Sequence, residues 1–174
     1  MRFRVTDRMR RDHYHVVGHA GRQHARRWFI EQTMTELKVL VVDDSEAIRR
    51  SVCTLLEGQP ELHVVSMASD GLEAVEQARE QQPDVILLDI SLPGLNGIEA
   101  ARRIRRVAPG SKILFLSQHD SWATAREALR TGAAGYVVKS DAAGELISGV
   151  WSVCHGRSFV SSSLVAHDLR RSPR

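Results

Sequence analysis

The sequence has few cysteines and no long hydrophobic run, and each shortage excludes a class of protein. Its 174 residues include two cysteines, Cys53 and Cys154, which are too few for a disulfide framework and lack CxxC spacing. No apolar run approaches the roughly 20 residues that span a bilayer. The N-terminal arginines are not followed by the apolar segment of a signal peptide. We therefore expect a reduced, cytoplasmic protein with no membrane association.

A uniform positive charge is lacking as well. The net charge is +3 overall, but residues 1–36 carry +4, so residues 37–174 carry −1 and give no electrostatic argument for nucleic-acid binding. We interpret residues 1–36 as a basic N-terminal extension that is disordered or belongs to an over-extended gene start. Nucleic-acid contact and metal binding through the segment HYHVVGH are the alternatives for this extension. Its eight arginines are Arg2, Arg4, Arg8, Arg10, Arg11, Arg22, Arg26 and Arg27.

From residue 37 onwards, short β-branched runs alternate with segments of helical periodicity. This alternation predicts a doubly wound α/β domain, (βα)5, in which helices cover both faces of a five-stranded parallel sheet. We assign residues 37–157 to this domain and residues 158–174 to a C-terminal tail. The predicted strands are Leu37–Val42, Leu62–Ala68, Asp84–Asp89, Lys112–Ser117 and Ala134–Lys139.

Polar and charged residues stand at the carboxyl ends of four of these strands. Asp43 and Asp44 follow strand 1, and Asp89 ends strand 3. Ser117 ends strand 4 and Lys139 ends strand 5. Chemistry in doubly wound sheets occurs beyond the carboxyl ends of the strands, so we expect these five side chains to converge. Taken singly, these residues have simpler interpretations. Asp44 or Asp89 could cap the helix that follows it, and Ser117 or Lys139 could simply be exposed to solvent.

The convergence of three carboxylates needs a counter-charge. Two carboxylates about 4 Å apart repel each other by roughly 1 to 4 kcal/mol, depending on the local dielectric. Mg²⁺ relieves such repulsion, because it is commonly held by one or two carboxylates together with waters and phosphate oxygens. Lys139 supplies a second cation aimed at the same place. Mg²⁺ and an ammonium around Asp89 form a site suited to stabilising a phosphoryl group on that carboxylate.

Four motifs in this order carry a family resemblance: VVDDSE, LLDISLPGLNGIE, ILFLS and GYVVKS. Together they resemble the CheY-like receiver domain of two-component response regulators, over about residues 37–157. The resemblance implies a flavodoxin-like fold with strand order 2-1-3-4-5. The segment GELISGVWSVCHGRSFVSSSLVAHDL is similar to the end of receivers in the NarL/FixJ (LuxR-type) subgroup. Those receivers usually continue into a helix-turn-helix domain, for which we expect no room before Arg174.

The resemblance also implies a role for each site residue. Asp89 would be the phosphoacceptor, Lys139 would contact the acyl phosphate, and Ser117 and Tyr136 would be the switch residues. The alternative for Tyr136 is a fixed, half-buried aromatic whose hydroxyl lies in water. The implied Mg²⁺ ligands are Asp43 (mainly through water), Asp44, Asp89 and the backbone carbonyl of Ser91.

Three functions compete at this point. The first is a signalling module that accepts a phosphoryl group from a sensor histidine kinase and switches a surface for an unknown output protein, with a homodimer as a further expected assembly. It would catalyse only its own phosphorylation and dephosphorylation. The second is the receiver part of a DNA-binding transcriptional regulator whose output domain is missing. The third is an enzyme, but Asp43 and Asp44 would repel the phosphate of FMN, and Asp89-Ile90-Ser91 lacks the second acid of a haloacid-dehalogenase-type phosphatase.

Overall fold

The computed structural model describes the backbone of residues 36–171 and the side chains of residues 36–166. The strands are β1 (Leu37–Val42), β2 (Leu62–Ala68), β3 (Val85–Leu88), β4 (Lys112–Ser117), β5 (Gly135–Val138) and β6 (Phe159–Val160). The helices are α1 (Glu46–Glu57), α2 (Gly71–Gln81), α3 (Gly97–Val107), α4 (Trp122–Leu129), α5 (Ala142–Cys154) and α6 (Ser162–Arg171).

The six strands form one parallel sheet in the order β2-β1-β3-β4-β5-β6. The doubly wound α/β fold is confirmed, and the first five strands have the predicted order. The predicted number of five strands is wrong, because β6 pairs with β5 through the partners Gly135–Phe159 and Tyr136–Val160. A strand of two residues after the turn at Gly156 (φ 73°) is too short to show a period in the sequence.

The C-terminal segment predicted as a tail contains β6 and the whole of α6. The domain boundaries at residues 36 and 157 stay predictions. The two alternatives for the basic extension fall on residues outside the described part of the chain. Among the described residues, no helix has the length and apolar character needed to cross a membrane.

Each face of the sheet packs against its own hydrophobic core. Leu40 and Val42 of β1 face a core that also contains Phe115, Tyr136 and Leu164. Their neighbours along the strand, Val39 and Val41, face the opposite core, which includes residues of α1 and α5. A strand that is buried on both faces has a continuous apolar sequence, as the central strands do here.

The start of α3 lies against the backbone at the end of β3. A Cβ atom added to Gly97 would lie 1.9 Å from the carbonyl oxygen of Asp89, which is too close for any side chain. The amide of Gly97 also donates a hydrogen bond of 2.9 Å to the carbonyl of Ile90. Gly97 therefore fixes the backbone that follows β3, and with it the position of the Asp89 carboxylate.

We predict that Gly97→Ala lowers the free energy of unfolding by about 2 kcal/mol, because the new methyl group must push the Asp89 backbone aside. The matched control is Gly144→Ala in α5, where no atom lies within 4 Å of an added Cβ. The control should leave stability unchanged or slightly higher, since alanine is the better helix former. Urea unfolding followed by circular dichroism measures both variants, and equal stabilities would contradict the prediction.

Candidate functional site

Three carboxylates meet at the carboxyl ends of β1 and β3. These strands are neighbours in register, with Val42 opposite Leu88, so Asp43 and Asp89 emerge side by side. One carboxylate oxygen from each of Asp43, Asp44 and Asp89 lies within 4.8 Å of the other two. Asp43 and Asp89 are almost fully buried, at 1% and 2% exposure, whereas Asp44 is exposed. The predicted convergence of these three acids is therefore present.

Lys139 reaches the two buried carboxylates from the end of β5. Its Nζ lies 2.6 Å from Oδ2 of Asp43 and 2.8 Å from Oδ2 of Asp89, and it donates a hydrogen bond to the latter. Burial works to lower the pKa of Lys139, but the hydrogen bonds and negative charges of the two aspartates outweigh it and raise the pKa above the usual lysine value. The ammonium therefore stays charged across the neutral pH range.

The other oxygens of the two buried acids are held by the backbone. The amide of Ser45 donates to Oδ1 of Asp43 at 3.0 Å, and the amide of Ile90 donates to Oδ1 of Asp89 at 2.7 Å. Oδ2 of Asp43 is buried and has no well-aligned hydrogen bond, so its contact with Lys139 is that of an ion pair. Such an oxygen has capacity for a further electrophilic partner.

The charge balance of this cluster fits a divalent cation. Three aspartates and one lysine leave a formal charge of −2. Oxygen-only donors of this kind suit a hard cation such as Mg²⁺. The donor type, the charge and the Asp43 oxygen that lacks a hydrogen bond are therefore compatible with the predicted metal.

The simpler explanation for the aspartates does not apply. Ser45, and not Asp44, caps α1, since its Oγ accepts from the amide of Ile48 at 3.4 Å. Asn96 caps α3 by accepting from the amide of Glu99 at 3.0 Å, so Asp89 has no capping role. One neighbour was not predicted: Arg49 donates from its guanidinium to the carbonyl of Asp43 at 2.6 Å. The sequence signal for this contact was the position of Arg49 one helical turn after the capping residue Ser45, which places it near the end of β1.

Ser117 lies at the same sheet edge, but its hydroxyl is engaged with the following loop. The side chain is fully buried, and Oγ accepts from the amide of His119 at 3.3 Å. The imidazole Nε2 of His119 lies 3.2 Å from Oγ of Ser91, which follows β3. His119 therefore links the loop after β4 to the loop after β3. The metal-ligand role of the Ser91 carbonyl stays a prediction.

Tyr136 is fully buried in β5, and its hydroxyl donates to the carbonyl of His119 at 2.7 Å. Its ring centroid lies 6.3 Å from that of Phe115, in a tilted arrangement. Burial raises the pKa of the hydroxyl above its usual value. The alternative of a half-buried ring with its hydroxyl in water is wrong for this structure, because the ring is fully buried and its hydroxyl is bonded to a backbone carbonyl.

The comparisons with known proteins agree with this geometry. Residues 39–150 match the family described as the Response regulator receiver domain. The chain belongs to this family. A two-component response regulator of the LuxR family from Aurantimonas sp. is 34% identical, with a TM-score of 0.74 over 78% of this chain and 99% of that one. The receiver domain of NarL from Mycobacterium tuberculosis is 34% identical, with a TM-score of 0.67 over 70% of this chain and 98% of that one.

The curated relatives are longer than this chain. The transcriptional regulatory protein DegU of Brevibacillus brevis is 37% identical over 139 residues, which are 80% of this chain and 58% of DegU. The response regulator UvrY of Escherichia coli K12 is 37% identical over 128 residues, which are 74% of this chain and 59% of UvrY. The chain thus spans about three fifths of the length of these relatives, and its resemblance to LuxR-type receivers is confirmed.

We predict that Lys139→Met lowers the free energy of unfolding by about 3 kcal/mol in buffer containing EDTA, since it leaves two buried carboxylates unpaired. Added Mg²⁺ should restore part of the loss by binding the folded state. The control is Lys38→Met, which removes an exposed lysine of β1 and should change little. Urea titrations with EDTA and with Mg²⁺ measure both effects. A Lys139→Met protein as stable as the wild type would contradict the assigned ion pairs.

Proposed function

We propose that this receiver accepts a phosphoryl group on Asp89 from the phosphohistidine of a sensor histidine kinase. The observation that carries the proposal is the pairing of Lys139 with Asp89 beside a second buried aspartate, Asp43. The side chains of the site follow the ends of β1, β3 and β5, and the amide of Ile90 orients the Asp89 carboxylate. It would act on its own aspartate and on no separate substrate.

In the proposed step, a carboxylate oxygen of Asp89 attacks the phosphorus of the phosphohistidine. A P–O bond forms to Asp89 while the P–N bond to the kinase histidine breaks, and the electron pair of that bond leaves with the imidazole. Lys139 is placed to stabilise the negative charge on the transferred group. The amide of Ile90 keeps the carboxylate of Asp89 oriented through Oδ1.

The residues that would hold Mg²⁺ are Asp43, Asp44 and Asp89, with the carbonyl of Ser91 as a further proposed ligand. When bound, Mg²⁺ would neutralise charge on the phosphoryl oxygens during transfer. Asp44 is exposed and would offer its carboxylate from the solvent side, whereas Asp43 and Asp89 are buried and would offer theirs from inside the fold.

We further propose that Ser117 and Tyr136 communicate phosphorylation to the surface. The phosphoryl group brings acceptor oxygens to Asp89, and the Ser117 hydroxyl would leave the amide of His119 to donate to one of them. Tyr136 is bonded to the carbonyl of the same residue, so the loop after β4 couples the two side chains. The cognate kinase, the output protein, homodimer formation and a cytoplasmic location stay predictions.

Acetyl phosphate with Mg²⁺ is expected to add one phosphoryl group to the full chain, as measured by intact mass. Asp89→Ala should abolish the mass gain, because the attacking carboxylate is gone. The matched control, Asp120→Ala, removes an exposed acid in the loop after β4 and should label normally. EDTA should prevent labelling, and full labelling in its presence would exclude the metal. A mass gain that persists in Asp89→Ala would reject the assigned phosphoacceptor.

The chain's coverage of only three fifths of its relatives favours a second candidate, the receiver part of a LuxR-type regulator that binds DNA through a domain absent here. Residues 37–174 carry −1 and should not bind duplex DNA specifically in either case. Fluorescence anisotropy over a salt series tests this expectation, and salt-stable binding to one sequence would contradict it. A reading frame that continues past Arg174 into a helix-turn-helix would favour the second candidate.

A further inference from the structure

The segment Phe159–Leu164 covers the outer edge of β5. The amide of Phe159 donates to the carbonyl of Ala134 at 3.2 Å, and the amide of Ser161 donates to the carbonyl of Tyr136 at 2.9 Å. The Ser161 hydroxyl accepts from the amide of Val138 at 3.0 Å. Ser161 is fully buried, so its side chain takes the place of a strand partner where β6 ends. The strand that carries Tyr136 is thereby paired on both sides.

The side chains of this segment fill the core around Tyr136. Leu164 is fully buried in the same hydrophobic cluster as Tyr136 and Phe115, and Val160 packs against that cluster. The cluster also contains Ala125 of α4, and α6 lies against α4. Movement of the Tyr136 ring out of the cluster would leave a cavity beside Leu164 and Val160, which is costly in a close-packed core.

Two carboxylates, one just before α5 and one in its first turn, bind the start of α6. The carboxylate of Glu145 in α5 accepts from the amide of Ser162 at 3.2 and 3.3 Å and from its hydroxyl. The carboxylate of Asp141 accepts from the hydroxyl of Ser163 at 2.5 Å. Negative charge beside a helix N-terminus is favourable, because it meets unpaired amides and the positive end of the helix dipole. Specific hydrogen bonds from Ser162 and Ser163 therefore hold this segment against the domain.

The same segment is also bonded to residues that neighbour the site residues in the sequence. Val138, whose amide it holds, immediately precedes Lys139, and Asp141 is two residues further on. Tyr136, whose carbonyl accepts from the amide of Ser161, donates through its hydroxyl to the carbonyl of His119 in the loop that follows Ser117. A change at Asp89 thus has two short routes to the segment, one through β5 and one through the Tyr136 ring.

From these contacts we propose that Phe159–Leu164 is a latch, docked on β5 while Tyr136 is buried and held more tightly when Asp89 carries a phosphoryl group. α6 would then be the element that carries the signal out of the domain. This inference rests on the proposed phosphorylation of Asp89. Its direction follows from the core that Tyr136 shares with Val160 and Leu164 and from the proposed coupling of Ser117 to Tyr136, because phosphorylation that stabilises the buried ring would also stabilise the segment packed with it.

Hydrogen exchange of the full chain tests the latch without phosphorylation. Tyr136→Ala should speed exchange of the Phe159 and Ser161 amides by about fivefold or more, because the segment loses its support. Tyr136→Phe keeps the ring volume and should have a much smaller effect. Amides of β1 serve as the reference for global unfolding, and the change must exceed theirs. Exchange at Phe159 and Ser161 that changes only in step with β1 would overturn the proposal.

Beryllofluoride with Mg²⁺, which stands in for the phosphoryl group, tests the coupling. The same two amides should exchange about fivefold more slowly in its presence. Unchanged or faster exchange, in a chain whose Asp89 labels normally by intact mass, would overturn the latch and leave the proposed function standing. Absence of labelling at Asp89 would instead reject the proposed function, while the Tyr136→Ala comparison still decides whether the segment depends on the ring.

A reciprocal experiment covers the case in which Tyr136→Ala does not fold. Leu164→Ala removes the buried anchor of the latch, and Val165→Ala removes its exposed neighbour on the same helix. Because coupling between sites is mutual, Leu164→Ala should lower the affinity for beryllofluoride by about fivefold, as measured by titration. Val165→Ala should bind as the wild type does. Equal binding by both variants would contradict a latch coupled to Asp89.

Discussion

The pairing of one ammonium with two buried carboxylates is the constraint on which the rest of this domain depends. Asp43 and Asp89 are both buried, and Lys139 gives each of them a cationic partner. Lys139 follows β5, and β4 lies between β5 and β3, so the lysine and aspartate side chains together bridge a gap of roughly two strand spacings, about 10 Å. The long side chain of Lys139 suits this gap.

The position of Asp89 depends on a second constraint, which is steric. The absence of a side chain at Gly97 lets α3 begin directly against the carbonyl of Asp89. The turn between β3 and α3 is therefore packed tightly against the backbone of Asp89, and the Asp89 carboxylate is bonded to Lys139. The register of β1 and β3, the close approach at Gly97 and the ion pairs of Lys139 together define the site.

Most of this arrangement could be predicted from the sequence, because its signals are long or repeated. Five strands with continuous apolar runs, and charged residues at their ends, indicated both the sheet and the edge at which Asp43, Asp89 and Lys139 meet. The short-range details could not be predicted. A strand of two residues has no period, and the burial of Tyr136 involves a core shared with Leu164 and a hydrogen bond to the carbonyl of His119. Contacts of this kind become visible only when the packing is known.

The two-residue strand β6 has a further consequence for how copies of this chain meet one another. An open sheet edge is a template for pairing with a second molecule, and natural proteins often blunt it with a very short strand. Here β6 replaces β5 as the edge and offers only Phe159 and Val160 before α6 begins. The opposite edge, β2, has seven residues and a register shift against β1 between Val39 and Leu40. The short strand β6 at one edge and the irregular pairing of β2 at the other therefore disfavour strand-to-strand aggregation.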